Sequence, residues 1–308
     1  MKIVLFKEVT WRHVITHFSR KTLKIMPIIS LGVMLATPIK AQPAPTKSQS
    51  AYDLCQQMLT SCRKIKTLTF TLLRKERVEN EWPEDKSDFK LNCKPHKVYF
   101  KQDYPREGLE LLFIDGANDN KALINTNGFP WVNVNLSPFG GQLRENQHHT
   151  LYEVGYKSVI NILGFLWEKY ESQAKSMVNL EGSVMWDGHD CYKIKMKNPN
   201  FKYINYTVKE GEDLNKIAKD LYLSEHMIME KNSGVDYYDD VNAGQTITIP
   251  NDYATGMDIY LDKKRMIPLM IKVYDDQGLY EVYEYYSVTV NPPLSSEEFT
   301  SGYKDYGF

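Results

Sequence analysis

The hydrophobic and polar positions change period along the chain, and each change marks a different predicted element. Residues 51–64 and 157–170 carry apolar side chains at helical spacing, and each stretch predicts one helix. Elsewhere apolar and polar residues alternate, which is typical of half-buried strands. The alternating stretches lie near Val98 and at 67–72, 109–114, 122–124, 131–136, 178–186, 191–196, 257–261, 267–274 and 279–290. Turn residues separate them, so the pattern predicts an α+β fold built on an antiparallel meander.

Residues 206–250 interrupt this meander with a pattern of their own. A short strand, a glycine turn, two short helices and a return strand follow one another. Asp213 and Ser224 stand where their side chains can cap the two helices. Gly211 permits the tight turn, and Asn232-Ser233-Gly234 predicts the end of the second helix, because Asn and Gly enter the left-handed conformation cheaply. We therefore expect a separate βααβ lobe.

This lobe resembles LysM, a βααβ domain that binds glycans containing N-acetylglucosamine, such as peptidoglycan and chitin. The matching positions are Tyr206-Thr207-Val208, Gly211, Leu214, Ile217-Ala218, Tyr222, Ile228, Asn232 and Gly244 to Pro250. LysM domains hold sugar in a shallow groove between the glycine turn and the loop after the second helix. The resemblance thus implies glycan contacts at Gly211, Glu212, Asp213 and Leu214 on one side and at Ser233, Gly234 and Val235 on the other.

Two acidic stretches of the module need separate interpretation. LysM domains usually have Asp-Thr or Asp-Ser after the glycine, whereas this chain has Glu212-Asp213, so a second acid replaces a small hydroxyl. A neutral sugar can still hydrogen-bond there. The loop from Asp236 to Asp240 lacks the ligand spacing and the terminal Glu of an EF-hand, so no metal is expected.

The surrounding chain resembles the LolA/LolB-like lipoprotein-carrier superfamily, and in particular a secreted branch known only as a domain of unknown function. The likeness is carried by Lys94 to Lys101, Pro105-x-x-Gly108-x-Glu110, Leu261 to Leu269, Val273 to Asp275 and Asn291-Pro292. It implies a strongly curved antiparallel sheet, or half-barrel, with two helices on its concave face and an apolar cavity that can hold acyl chains. No residue matches a functional arginine of the carriers, so the resemblance does not imply that this protein transports lipoproteins.

The organisation of the chain follows from these patterns. We expect a signal peptide at 1–41, a linker at 42–50, the half-barrel at 51–202 and 252–308, and the LysM module at 203–251. The basic N-terminal stretch precedes an apolar run too short to span a bilayer comfortably, so we expect export to the periplasm or cell envelope. The net charge of −1 without a basic stripe disfavours nucleic acid as a partner.

Candidate chemistry is sparse. Cys55 and Cys62 would lie about 10 Å apart along an intact helix, too far for a disulfide; Cys93 with Cys191 and free buried thiols both stay open. His148-His149 is the most tempting catalytic pair, and Glu145 or Glu153 could orient one ring. Adjacent histidines on an extended segment point to opposite sides, however, so we expect neither catalysis nor metal binding there.

The sequence therefore favours a non-enzymatic envelope protein without a cofactor. It would bind peptidoglycan or a related glycan through the module, while the half-barrel would contact a lipid or lipoprotein. Two alternatives remain: a cell-wall hydrolase, since LysM modules often accompany hydrolases, and an envelope assembly protein without a small ligand.

Overall fold

The computed structural model describes residues 49–129 and 131–308, and within these residues most strands belong to one sheet of eleven. In chain order its strands are β1 (Thr67–Glu76), β2 (Glu84–Asn92), β3 (Lys97–Tyr104), β4 (Glu110–Ile114), β5 (Ala122–Asn125), β6 (Val134–Leu136), β7 (Val178–Trp186) and β8 (His189–Lys197), then β11 (Gly256–Asp262), β12 (Pro268–Asp275) and β13 (Gly278–Val290). Between them β9 (Tyr203–Thr207) and β10 (Thr246–Pro250) form a second, two-stranded sheet.

The large sheet is open and antiparallel throughout. Its order is β6-β5-β4-β3-β2-β1-β13-β12-β11-β8-β7, so that β13, late in the chain, pairs with β1 near its beginning. Bulges between Thr69 and Thr71 and between Tyr260 and Leu261 bend the strands locally. The predicted α+β half-barrel is confirmed.

The two predicted helices cover the concave face of this sheet. Helix α1 (Ala51–Cys62) begins at Ser50, whose hydroxyl accepts the Asp53 N–H in a reciprocal capping box. After the short α2 (Gly141–Arg144), helix α3 (Lys157–Lys169) buries an apolar stripe that includes Leu163 and Trp167. Helix α1 contacts α3, the short α4 (Ala174–Met177) and β7, and together they close the main core.

The structure adds elements that the periodicity did not predict. Strand β2 was missed because only Phe89 and Leu91 mark its buried face among charged neighbours. The tail after β13 lies on the surface, as expected, but it also buries Phe299 against Tyr99 and Leu112 in a small cluster of its own. Apolar positions in this tail are too few to reveal a period.

Residues 203–250 fold as a lobe with their own core. Helix α5 (Leu214–Leu221) begins at Asp213, whose carboxylate accepts the Lys216 N–H at 2.7 Å, and α6 (Glu225–Lys231) begins at Ser224. Both caps were predicted. As predicted, α6 ends immediately before Asn232-Ser233-Gly234; Gly234 has a positive φ of 84°, whereas Asn232 has a φ of −120° and is not left-handed. Its side-chain amide instead bonds Ile228 O and both backbone groups of Thr248, which ties α6 to β10.

The remaining predictions concern the chain ends and the cysteines. The expected signal peptide at 1–41 and the linker up to residue 48 lie outside the described residues. Among the described residues, no helix is long and apolar enough to cross a membrane. All four cysteines are free thiols, so the Cys93–Cys191 pairing is not formed.

Candidate functional site

Six of the seven predicted glycan-binding residues lie in the turn before α5 or in the loop after α6, and the seventh, Leu214, is the first residue of α5. Their side chains have different roles. Gly211 is exposed with a φ of 75°, and the Glu212 carboxylate accepts hydrogen bonds from Tyr206 Oη and Lys209 N, each at 2.9 Å. Leu214 is fully buried, and its N–H donates to Tyr238 O at 2.9 Å. Its side chain therefore supports the loop from inside the module.

The loop after α6 shows the same division. Ser233 and Gly234 are exposed, whereas Val235 is buried in the module core. Asp213 and Val235 line an open cleft of about 1040 Å³, which the module shares with the host. This shared cleft was not predicted, because nothing local in the sequence indicates which host loop faces the module.

The host forms one side of the cleft, which we call the host wall. The turn after β1 supplies Arg77 to Asn80, and the segment around α2 supplies Phe139, Gly141, Gln142, Arg144, Glu145 and Gln147. The module wall consists of Asp213, Asn215, His226, Met229, Glu230 and Val235 to Asp239. Next to the last stretch, the Asp240 carboxylate accepts the N–H groups of Asp236 and Tyr237, which closes the loop.

Arg144 joins the two walls. Its Nη1 donates to Asn215 Oδ1 at 2.7 Å, and its Nη2 donates to His148 O at 2.8 Å and lies 3.0 Å from the Glu225 carboxylate. Its guanidinium also lies 3.6 Å from the centre of the Tyr238 ring. One buried host side chain thus holds both module helices and the module loop in place.

Behind Arg144, a buried cluster of histidines and glutamates connects the α2 segment to the sheet. His148 Nδ1 lies 2.8 Å from Glu281 Oε1, and the His148 N–H donates to Glu76 Oε2 at 2.8 Å. Tyr253 Oη donates to Glu281 at 2.9 Å. The module reaches this cluster too, since His226 stacks on His148 at 4.4 Å between ring centres.

The prediction that His148 and His149 diverge was wrong. The chain bends at His148, so the segment is not extended, and both rings reach Glu281, with His149 Nε2 at 3.5 Å from its carboxylate. Glu153 orients His149 through Nδ1 at 3.1 Å, one of the two possibilities raised for that ring. Asn146, with a φ of 59°, lies in the turn that precedes this bend.

The same cluster contains a possible set of metal ligands. Single ligand atoms of Glu76, His149 and Glu281 lie within 4.8 Å of one another. These groups already have protein partners, however. Glu76 accepts hydrogen bonds from Tyr283 Oη and His148 N, while His149 Nε2 lies 3.0 Å from Tyr253 Oη. Hydrogen bonds and ion pairing therefore account for the cluster, and a metal would have to displace them.

The pKa values in the cluster reflect this pairing. Burial alone would raise the pKa of Glu281, but the charge of His149 and the hydrogen bond from His148 lower it well below its ordinary value. Burial opposes the charge on His149, yet Glu153 and Glu281 raise its pKa well above 6.5. Glu225 behaves differently: burial and the nearby Glu153 raise its pKa to about 7, against the effect of Arg144.

These features define a class of protein: a curved antiparallel sheet that carries a separate βααβ module between two neighbouring strands, β8 and β11. Residues 65–209 match the family model "Protein of unknown function (DUF1571)", and residues 206–250 match the LysM domain model. Both matches agree with the predicted composite description, a host similar to a family of unknown function and an inserted LysM domain. The LysM match indicates glycan binding by this module.

Several solved structures are similar to the chain at low identity and low TM-score. Lipoprotein LppX from Mycobacterium tuberculosis has a TM-score of 0.39 at 10% identity, covering 80% of this chain and 97% of that chain. A Vibrio parahaemolyticus domain described as an outer membrane lipoprotein-sorting protein has a TM-score of 0.32 at 10% identity, covering 82% and 96%. A DUF1329 family protein from Desulfovibrio piger has a TM-score of 0.33 at 10% identity, covering 81% of this chain and 95% of that chain. With these TM-scores, the matches carry no argument about function. No curated protein matches the chain.

Proposed function

We propose that this protein is a non-enzymatic, exported protein of the cell envelope that binds peptidoglycan, or a related glycan containing N-acetylglucosamine, through residues 203–251. The observation that carries the proposal is the LysM match over 206–250, in a segment that folds as its own lobe and opens onto a cleft. Gly211, Glu212, Asp213, Leu214, Ser233, Gly234 and Val235 form the two loops assigned to the sugar.

Binding to purified peptidoglycan tests this proposal directly. The ends of the module meet, since Asn251 N donates to Lys202 O at 2.9 Å and Lys202 N donates to Asn251 Oδ1 at 2.8 Å. The module can therefore be excised and the ends rejoined with a short linker. We expect the full chain to sediment with insoluble peptidoglycan and the excised form to stay in solution.

A point variant separates loss of the sugar site from loss of the module. Ser233 is exposed in the predicted groove, so Ser233→Trp should block the sugar without disturbing the module core. Lys219→Trp, on the exposed side of α5, is the matched control and should bind as the unmodified chain does. Equal sedimentation of all four proteins would refute a glycan site on the module.

The host at 51–202 and 252–308 is proposed to hold a lipid or lipoprotein. The apolar pocket beneath α3, lined by Ile162, Leu166 and Met257, has a volume of about 10 Å³, roughly that of a single water probe. An acyl chain would therefore need α3 to move away from the sheet. Native mass spectrometry of the purified protein should detect a bound lipid. A lipid-free spectrum after gentle extraction from cells would contradict lipid binding by the host.

A cell-wall hydrolase is the second candidate, and one observation favours it: Glu76, His149 and Glu281 converge. None of the three lines the cleft, and the two carboxylates are almost fully buried, which supports a structural role. Release of soluble wall fragments by the purified protein, lost in His149→Ala but kept in Ser233→Ala, would establish the enzyme instead.

A further inference from the structure

The cleft between module and host is lined by many more acidic than basic groups. Six carboxylates face it, from Glu79, Glu145, Asp213, Glu230, Asp236 and Asp239. The two arginines in its lining are already paired, Arg77 with Asp275 and Arg144 with Glu225. Four of the acids, Glu79, Glu145, Asp236 and Asp239, are exposed, and their carboxylates have no ion-pair or hydrogen-bond partner among the described residues. The rim therefore presents uncompensated negative charge from both walls.

The floor of the cleft has a different character, because two buried nitrogens there lack a hydrogen-bond partner within the described chain, Arg144 Nε and His226 Nδ1. Both residues are only 4% exposed, and both line the cleft. His226 Nε2 lies 3.2 Å from the Glu230 carboxylate, and burial lowers the pKa of this histidine, so the ring proton belongs on Nε2 and Nδ1 is an acceptor. A buried polar group without a partner is costly, and sugar hydroxyls can both accept from Arg144 Nε and donate to His226 Nδ1.

Aromatic side chains stand at the mouth of the cleft on both walls. Phe139 of the host is 48% exposed and Tyr237 of the module is 66% exposed. Exposed aromatic faces of this kind pack well against the apolar face of a sugar ring. Since one comes from each wall, a bound glycan would contact the host as well as the module.

We propose that this cleft binds a wall glycan segment carrying a protonated amine, with the amine among the rim carboxylates and sugar hydroxyls that accept from Arg144 and donate to His226. The inference rests on the proposed function and narrows its ligand. The amine has two sources in a cell wall: a glucosamine that has lost its acetyl group, or the side chain of a diamino acid in the attached peptide.

Calorimetric titration of the full chain with three probes tests the preference. The probes are chitin hexamers, chitosan hexamers, and a lysine-containing wall peptide without sugar, each at a pH where the amine is protonated. We expect chitosan or the peptide to bind more tightly than chitin, and this excess to shrink at high salt, because exposed charges are screened. Tighter chitosan binding identifies the amine on the sugar, and tighter peptide binding identifies the amine on the peptide.

Neutral replacements on each wall test the placement. Asp236→Asn with Asp239→Asn changes the module rim, and Glu145→Gln changes the host rim. Each lost carboxylate should weaken the binding of the amine-bearing probe roughly twofold to fivefold and leave the affinity for chitin unchanged. Glu210→Gln is the matched control, because this acid is exposed on the module and does not line the cleft. Circular dichroism verifies that each variant is folded.

The outcomes separate this inference from the function on which it rests. If chitin binds as tightly as chitosan and the peptide, or if the rim variants change nothing, the cleft does not select an amine although the protein binds glycan. If neither hexamer nor insoluble peptidoglycan binds, both proposals are wrong.

Discussion

Glu225 offers a sharp test of the electrostatics that hold the module against the host. The residue is 8% exposed, and its pKa is raised from 4.5 to about 7, mainly by burial and then by Glu153. The folded state therefore retains a proton on Glu225 that the unfolded state has lost. Stability from this group is fully present below about pH 4.5 and is lost as the pH rises towards 7.

The magnitude follows from the size of the rise. A rise from 4.5 to about 7 corresponds to about 3 kcal/mol of unfolding free energy lost between acid and neutral pH. Glu225→Gln cannot titrate, so this loss disappears from the variant. In the variant the partner of Arg144 is neutral at both pH values, so any effect of this on the free energy of unfolding is the same at both. Relative to the unmodified chain, the variant should thus gain about 3 kcal/mol between about pH 4.5 and about pH 8.

Urea unfolding followed by tryptophan fluorescence at the two pH values measures this gain. Glu230→Gln on the same helix is the matched control. Burial opposes the charge of Glu230, but His226, whose Nε2 lies 3.2 Å from its carboxylate, lowers its pKa below 4.5. Its stabilising contribution is therefore present at both pH values and is lost only in stronger acid, so this variant should show little change between them. If the gain for Glu225→Gln is under about 1 kcal/mol, or if Glu230→Gln shows the same gain, the assignment of Glu225 as a buried, proton-holding acid is refuted.

Further expectations concern stability elsewhere in the chain. His149→Gln should lower the melting temperature more at about pH 6 than at about pH 9. The raised pKa of His149 means that its protonated ring stabilises the fold below 6.5, and this stabilisation is lost as the pH rises through the pKa of the folded state. Equal decreases in melting temperature at both pH values would contradict this prediction. Asp213→Ala removes the cap of α5 and should cost about 1 kcal/mol by urea unfolding, with Asp213→Asn largely restoring it. Leu163 lies on α3 and is fully buried, so Leu163→Ala should lower the free energy of unfolding by about 2–5 kcal/mol. Lys175 is exposed, so Lys175→Ala should leave this free energy nearly unchanged.

Local rules account for the elements that were predicted well. Helix α1 carries both a capping box and a regular apolar stripe, so its position is encoded within a dozen residues. The caps of α5 and α6 at Asp213 and Ser224 are equally local. Strand β2 shows the limit of the approach, since charged residues dominate its sequence and its partners β1 and β3 supply the pairing that makes it a strand.

The candidate site depends on contacts that no local pattern contains. Arg144 lies 71 positions from Asn215, and His148 lies 133 positions from Glu281. Neither pair can be read from spacing, because each forms only after β13 has paired with β1 and the module has packed against the α2 segment. The divergence expected for His148 and His149 failed for the same reason: a bend that places both rings on Glu281 is stabilised by distant partners.

By itself, the sequence determined the α+β class, the two helices of the half-barrel and the identity of the inserted module, because periodicity and capping act over a few residues. The tertiary structure alone decided that the module shares a cleft with the host, that carboxylates gather at its rim, and that unpaired nitrogens of Arg144 and His226 lie at its floor. These properties depend on burial and on distances between remote segments, and both exist only in the folded chain.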